Sequence, residues 1–375
     1  MWRAWVFPAF DEATDEHPIC RFFRVMLSLP LDLTHATIET RGLTLATNTF
    51  KGAITTPADP LEAVVPPEIL EAVRQEQQKA IPALAKDPAL LHAVKRAVRE
   101  LHTRHTIITA DCRDMSTIPD GSVHLAVTSP PYWTLKEYPE RNGQLGAVED
   151  FDQFLEELDK VWEHVLRVLV PGGRLVVVVG DVCVPRRRFG RHMVFPLHAA
   201  IQERCRKIGF DNLAPIIWYK IANAAFEVEN GSGFLGKPYE PNAVIKNDIE
   251  FILFQRKPGG YRQPTLAARA LSVIPEDCQK EWFTQVWNGL TGASTREHPA
   301  PYPVSLAERL IRMFSFVGDT VLDPFMGTGT TAVAASAWGR NSIGFEIEPA
   351  YVELARRRLE QANNAQFLLN FNANT

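Results

Sequence analysis

The 375 residues carry 40 lysines and arginines against 44 acids, a formal charge of −4, so the chain is not a basic coat for nucleic acid. At 46% hydrophobic and 22% charged it has the make-up of a globular protein of about two domains. Its longest strongly apolar stretch, around 175–179, falls far short of the ~20 residues of a membrane helix, no charged leader precedes an apolar block, and five cysteines without a CxxC pair speak against a zinc ribbon or disulfide framework; a reducing cytoplasm, no membrane and no metal are expected.

Residues 1–102 read as an N-terminal extension. The first sixty are rich in proline, threonine and acids with short apolar runs such as 22–29, and 67–101 reads as helix broken at Pro82 and Pro88. Either a packing module or an arm contacting DNA or a partner fits it. From about Thr103 strands and helices alternate. Strands are expected at 106–110 and 123–128. Phe151, Phe154, Leu155, Leu158, Trp162, Val165, Leu166 and Leu169 recur at helical spacing, and Pro171-Gly172-Gly173 stops that helix. The run RLVVVVG at 174–180 is too continuously apolar for a half-exposed strand and reads as a parallel strand covered on both faces. A helix at 194–208 and strands at 215–219 and 249–255 follow. The rhythm lapses over 256–297, a candidate inserted target-recognition region anchored by Trp282, Phe283 and Trp287. Ser305 and Glu308 form a capping box for a helix through Phe316, before a strand (320–322), a glycine turn, a helix (331–338), a strand (341–346) and a helix (349–361). The fold class is α/β, a doubly wound and mostly parallel sheet. The expected divisions are a catalytic half at 103–255, the inserted region, a cofactor half at 298–365 and a tail at 366–375.

The turn VLDPFMGTGTTA places Gly327, Gly329 and Ala332 at GxGxxA spacing between a strand and a helix, and Glu346 ends the next strand, where it could accept ribose hydroxyl hydrogens. This describes a nucleoside pocket. A nicotinamide dinucleotide fits the same glycines, but Asp323 would repel its diphosphate, whereas it could pair with the amino group of a methionine-derived cofactor. S-adenosylmethionine is favoured, and the Gly-Lys-Ser/Thr of a P-loop does not follow the glycines.

TSPPYW, at 128–133, follows the second strand directly. Prolines cannot continue a ladder, and they fix the directions of the Ser129 and Pro130 carbonyls at the strand's C-terminal end, where open parallel sheets bind ligands. That suits an exocyclic amine, whose hydrogens a hydroxyl and carbonyls can accept, while Tyr132 offers a face to a base rotated out of a duplex. A rigid structural turn is the alternative. Asp181, after VVVVG, is a candidate proton acceptor or partner of Ser129.

With TSPPYW, DPFMGTGTT and GFEIEPAYVELARRRL in this order, the chain resembles the permuted amino-methyltransferases of DNA, in which the catalytic block precedes the cofactor block. The resemblance covers about 103–361. It implies catalytic roles for Ser129, Pro130, Pro131 and Tyr132. It implies an S-adenosylmethionine site built from Asp111 (against the adenine), Asp323, Pro324, Phe325, Gly327, Thr328, Gly329, Thr330 and Glu346, approached through the proline-rich segment from His298. Double-stranded DNA is the implied partner, with a cognate restriction endonuclease and a homodimer as further expectations. In this family SPP(Y/F) usually accompanies cytosine N4 and DPP(Y/F) adenine N6, so Ser129 implies N4 of a flipped cytosine, with adenine N6 the alternative. Cytosine C5 chemistry is disfavoured because its cysteine normally follows a proline, and none here does. Related NPPY enzymes acting on glutamine or RNA differ at Ser129.

Charge points to the polymer. Between Cys183 and Lys207 seven basic residues meet one acid, and Arg186, Arg187, Arg188 and Arg191 follow the strand on the edge of TSPPYW, where duplex phosphates would pass. A solvated arginine loop is the competing reading. Glycines at 231–236 and prolines at 238–241 suggest a loop closing over DNA. A nicotinamide-linked oxidoreductase, which leaves TSPPY unused, and a catalytically silent DNA-binding protein are the readings from other classes.

Overall fold

The computed structural model describes residues 59–135, 141–184, 186–220, 248–293 and 301–373, the side chains of 186 and 364–373 excepted. Two compact units divide at Thr55/Thr56, and everything described belongs to the second. Residues 1–58, the loop at 231–241 and His298 therefore lie outside the described residues.

Ten strands and ten helices are described: α1 Pro67–Leu84, α2 Pro88–Arg99, β1 His105–Thr109, β2 Val123–Thr128, α3 Phe151–Val168, β3 Leu169–Val179, β4 Val182–Val184, α4 Arg186–Phe189, β5 Met193–Phe195, α5 Leu197–Ile208, β6 Asp211–Tyr219, β7 Ile249–Arg256, α6 Leu266–Leu271, α7 Glu276–Trp282, β8 Val286–Trp287, α8 Val304–Phe314, β9 Thr320–Asp323, α9 Thr330–Ala337, β10 Asn341–Glu346 and α10 Pro349–Ala373. The main sheet has the order β1-β10-β9-β2-β3-β7-β6-β8. β7 runs against its neighbours β3 and β6, and the remaining pairs are parallel. After β9 the chain moves outward to β10, and after β2 it moves the other way to β3. The β9–β2 boundary is thus the switch point where open α/β sheets bind ligands.

The run RLVVVVG is apolar throughout because both faces of β3 are covered. Leu175, Val177 and Val179 pack in the core with α3 and α5, while Val176 and Val178 pack in the core with α8 and α9. A third apolar cluster joins α1 and α2 to α6 and Val317. The two described N-terminal helices are thus built into the unit that holds the sheet, not separated from it at residue 102. The described part of that region, residues 256–293, is likewise distributed. α6 packs on α1 and α2, and Val317 N–H, just before β9, donates to Ser272 Oγ, whereas β8 extends the sheet beside Ile217 and Trp218.

Several local expectations are corrected. β3 begins directly at Leu169, and Pro171–Gly173 is a bulge inside it: Leu169 pairs with Val123 and Arg174 with Leu125. A Cβ on Gly172 (φ +75°) would stand 2.6 Å from Gly260 O, so this glycine lets two turns touch. Residues 193–195 form β5 against β4 instead of opening a helix, because Pro196 holds Phe195 extended and α5 starts after it. α1 breaks at Glu76 (φ −150°) and passes through Pro82, which sits within two turns of the restart. α8 starts at Val304 behind Pro303 with no side-chain cap, and Glu308 bonds to Trp338 instead of closing a capping box. The final helix runs to Ala373, past the expected tail boundary. Among the described residues no helix is long and apolar enough to cross a membrane, and no group of three potential metal ligands occurs.

Candidate active site

Because β1, β10, β9, β2 and β3 are parallel neighbours, their C-terminal ends form one rim. Thr128, ending β2, donates from Oγ1 to Asp323 Oδ1, ending β9, at 2.7 Å across 195 residues of chain. The next residues of both strands open into one cleft. Ser129 and Pro131 stand on one side, Pro324, Phe325, Glu346 and Ile347 on the other, and Asp111 and Tyr351 complete the wall.

Each acid at this rim has a different environment. Glu346 Oε2 accepts from Gly327 N–H at 2.9 Å and Oε1 from Glu348 N–H at 2.8 Å. Ile347 N–H bonds the same carboxylate, and its four acceptor positions leave room for an incoming hydroxyl. Burial pushes this carboxyl above its ordinary value against the pull of those N–H groups. Burial would also push Asp111 up, but Arg113, which donates from Nε to both oxygens at 3.0 Å, holds it below its ordinary value. Gly143 closes over this pair: a Cβ there would lie 2.7 Å from Asp111 Oδ2, and φ +90° suits glycine alone. Arg141 Nε bonds Glu348 Oε2 at 3.0 Å and ties the same loop to the end of β10.

The donor set fits an adenosyl group: an acid at the end of β10 for ribose hydroxyls, apolar side chains of Phe325, Ile347 and Pro324 for a flat ring, and a second acid at Asp111.

The family model for DNA methylases matches residues 123–357 of this chain. The chain belongs to the N6/N4 DNA methylase family. The methylase is 37% identical over 306 residues to the Type II methyltransferase M.MjaI of Methanocaldococcus jannaschii, a match covering 72% of this chain and 98% of that one. It is 53% identical to TTHA0409 of Thermus thermophilus, a putative DNA modification methylase solved in complex with S-adenosyl-L-methionine, with TM-score 0.57 and coverage of 70% and 94%. The cytosine-N4-specific PvuII DNA methyltransferase shares the fold at 19% identity and TM-score 0.50, over 71% of this chain and 93% of that one.

Not every motif residue of the methylase faces the cleft. Asp323 is 2% exposed, and its carboxylate accepts from Thr128, Tyr302, Thr331 and Phe325 N–H, so it does not point to a ligand amine. Burial pushes its carboxyl up. Thr328 Oγ1 accepts from Arg358 at 2.7 Å, Thr330 Oγ1 from the same guanidinium at 3.4 Å, and a Cβ on Gly329 (φ +81°) would meet Ala355 Cβ at 2.8 Å. The glycine turn therefore receives α10; Gly327 reaches the cleft only through Glu346. Tyr132 is 7% exposed, close to Gly180, with its hydroxyl 3.4 Å from Ser129 Oγ, so its ring is not an open stacking face, and Pro130 is buried beside it. Asp181 accepts from His198 Nδ1 at 2.6 Å, and that ring stacks on Phe251, which places the Asp181 carboxylate in a pair with histidine. Cys112, Gly143, Gln144, Leu145, Ile347 and Tyr351 line the cleft without having been singled out from sequence. The Asn142-Gly143 turn signal was there to be read; its position over Asp111 was not.

The arginines after β3 divide. Arg187, Arg188 and Arg191 stand exposed at the tip of the β4–β5 hairpin, where the Arg186 side chain lies outside the described set. Arg204 pairs with Asp159, and Arg206 and Lys207 pair with Glu203 on α5.

Proposed function

We propose that this DNA methylase moves the methyl group of S-adenosylmethionine to the exocyclic N4 of a cytosine that has left the DNA stack. The observation that carries the reading is the single cleft in which Ser129 and Pro131 face Phe325 and Glu346, bringing the amine-binding turn and the adenosyl-binding strand ends to one opening. S-adenosylmethionine supplies an electrophilic methyl on a sulfonium. Glu346 takes the ribose hydroxyls, and Phe325, Ile347 and Pro324 hold the adenine. The Ser129 hydroxyl and the carbonyls of Ser129 and Pro130 accept the hydrogens of the amine and orient its nitrogen lone pair. Once methylated the amine is acidic, and water takes its proton. Asp181, engaged with His198, is not needed as a base. Cytosine is supported by the serine of SPPY. The similarity to a Type II methyltransferase supports a role beside a restriction endonuclease of the same specificity.

Purified protein incubated with labelled S-adenosylmethionine and mixed-sequence DNA, followed by nucleoside mass spectrometry and mapping of the modified sites, should yield N4-methylcytosine. N6-methyladenine would transfer the reading to adenine, and duplex binding without any modified nucleoside would leave a silent binding protein. Ser129→Ala should lower kcat by about 100-fold with the cofactor Kd unchanged, the scale of losing one group that stabilises a transition state. Equal kcat would remove Ser129 from the reaction.

A further inference from the structure

We propose that Phe189, at the tip of the β4–β5 hairpin, enters the duplex beside the target site and fills the space that the extruded base vacates. This rests on the reading that the base leaves the stack. Phe189 is 43% exposed and follows two exposed arginines, Arg187 and Arg188, with Arg191 two positions on. A lone exposed phenylalanine is ordinary. One flanked in sequence by arginines, with the Arg188 guanidinium over its ring, on a hairpin that leaves the sheet where Ser129 opens the cleft, matches a surface of phosphates around stacked bases.

The hairpin is built to hold that ring in place. Val182 and Val184 are buried at its base, and Phe195 packs on Trp133 with centroids 4.8 Å apart. The Phe189 ring lies 6.4 Å from Phe195, and the Arg188 guanidinium lies 5.1 Å from the Trp133 ring and 5.6 Å from Phe189. Arg188 also donates to Thr134, just after the Pro-Pro turn. Trp133 holds φ +47°, the one non-glycine positive φ among the described residues, and is 2% exposed. Such a conformation persists only where its surroundings over-determine it. Phe189 is therefore tied through Arg188 and Trp133 to the segment that carries Ser129, which couples insertion into DNA to the position of the amine-binding turn.

The test uses the full chain and a duplex containing the mapped site, with a fluorescent analogue at the acceptor base: pyrrolocytosine, or 2-aminopurine where adenine is the acceptor. Wild type should raise the analogue's fluorescence on binding. Phe189→Ala should lose most of that rise and lower kcat/KM on the intact duplex by about tenfold or more, the scale of unstacking one base. The loss should shrink to less than about threefold when the base opposite the target is replaced by an abasic site, because less pairing and stacking must then be broken. Phe189→Trp should keep the rise. A wild-type rise that Phe189→Ala preserves, or an equal loss on intact and abasic duplexes, overturns the role of Phe189 alone. No rise with the wild type overturns base extrusion and the proposal with it. Since Phe189 is exposed, an unchanged melting temperature confirms that the variant is folded.

Discussion

Glu346 and Asp323 end neighbouring parallel strands, yet burial and partners assign their carboxylates different work. Asp323 collects three hydroxyls and a backbone N–H and joins β2 to β9 and α9. Glu346 meets backbone N–H groups on both oxygens and lines the cleft. A charge-assisted hydrogen bond contributes roughly 1.5–3 kcal/mol, so Glu346→Ala should raise the S-adenosylmethionine Kd by about tenfold or more in calorimetric titration. An unaltered Kd would remove the ribose role. Sequence assigned both acids to the cofactor, Glu346 to the ribose and Asp323 to an amino group, and could not show Asp323 turned inward, because its partners lie at Thr128, Tyr302 and Thr331.

Strand β1 carries a built-in acid sensitivity. His105 bonds through Nε2 to Thr103 Oγ1 and through Nδ1 to Ser342 Oγ, both at 2.8 Å, and burial pushes its pKa from 6.5 down to about 4. The folded pKa lies below the unfolded one, so the unfolded chain binds the proton first. The stability that the neutral ring contributes is complete above about pH 6.5 and is lost as the pH falls toward about 4. His105→Gln should therefore show a shallower fall in melting temperature than wild type between those limits. Parallel curves would deny His105 this part. Helical and strand periodicity made most elements legible beforehand. Among the exceptions are PGG inside β3, which a pairing with β2 decides, β5 in place of a helix start, and α1 passing Pro82 after a break at Glu76.

At the scale of the whole molecule, a chain of net charge −4 presents Arg187, Arg188 and Arg191 exposed at the hairpin beside the cleft, while on α5 Arg204 pairs with Asp159 and both Arg206 and Lys207 pair with Glu203. Replacing both Arg187 and Arg191 by glutamine should reduce the slope of log K for DNA against log salt by about 2, given roughly 0.9 per phosphate contact. A slope equal to wild type returns these side chains to solvent. The same replacement of Arg206 and Lys207 should leave the slope as it is.

The sequence by itself determined the wound α/β fold, the order of its two blocks and their membership of one family, because these reside in local periodicity and contiguous motifs. Only the tertiary structure decided which motif side chains face the cleft. Gly329 serves the approach of Ala355, Thr328 serves Arg358, and Gly143 closes over Asp111. Such assignments depend on strand register and helix approach between segments far apart in the chain, and no local pattern encodes the distance between them.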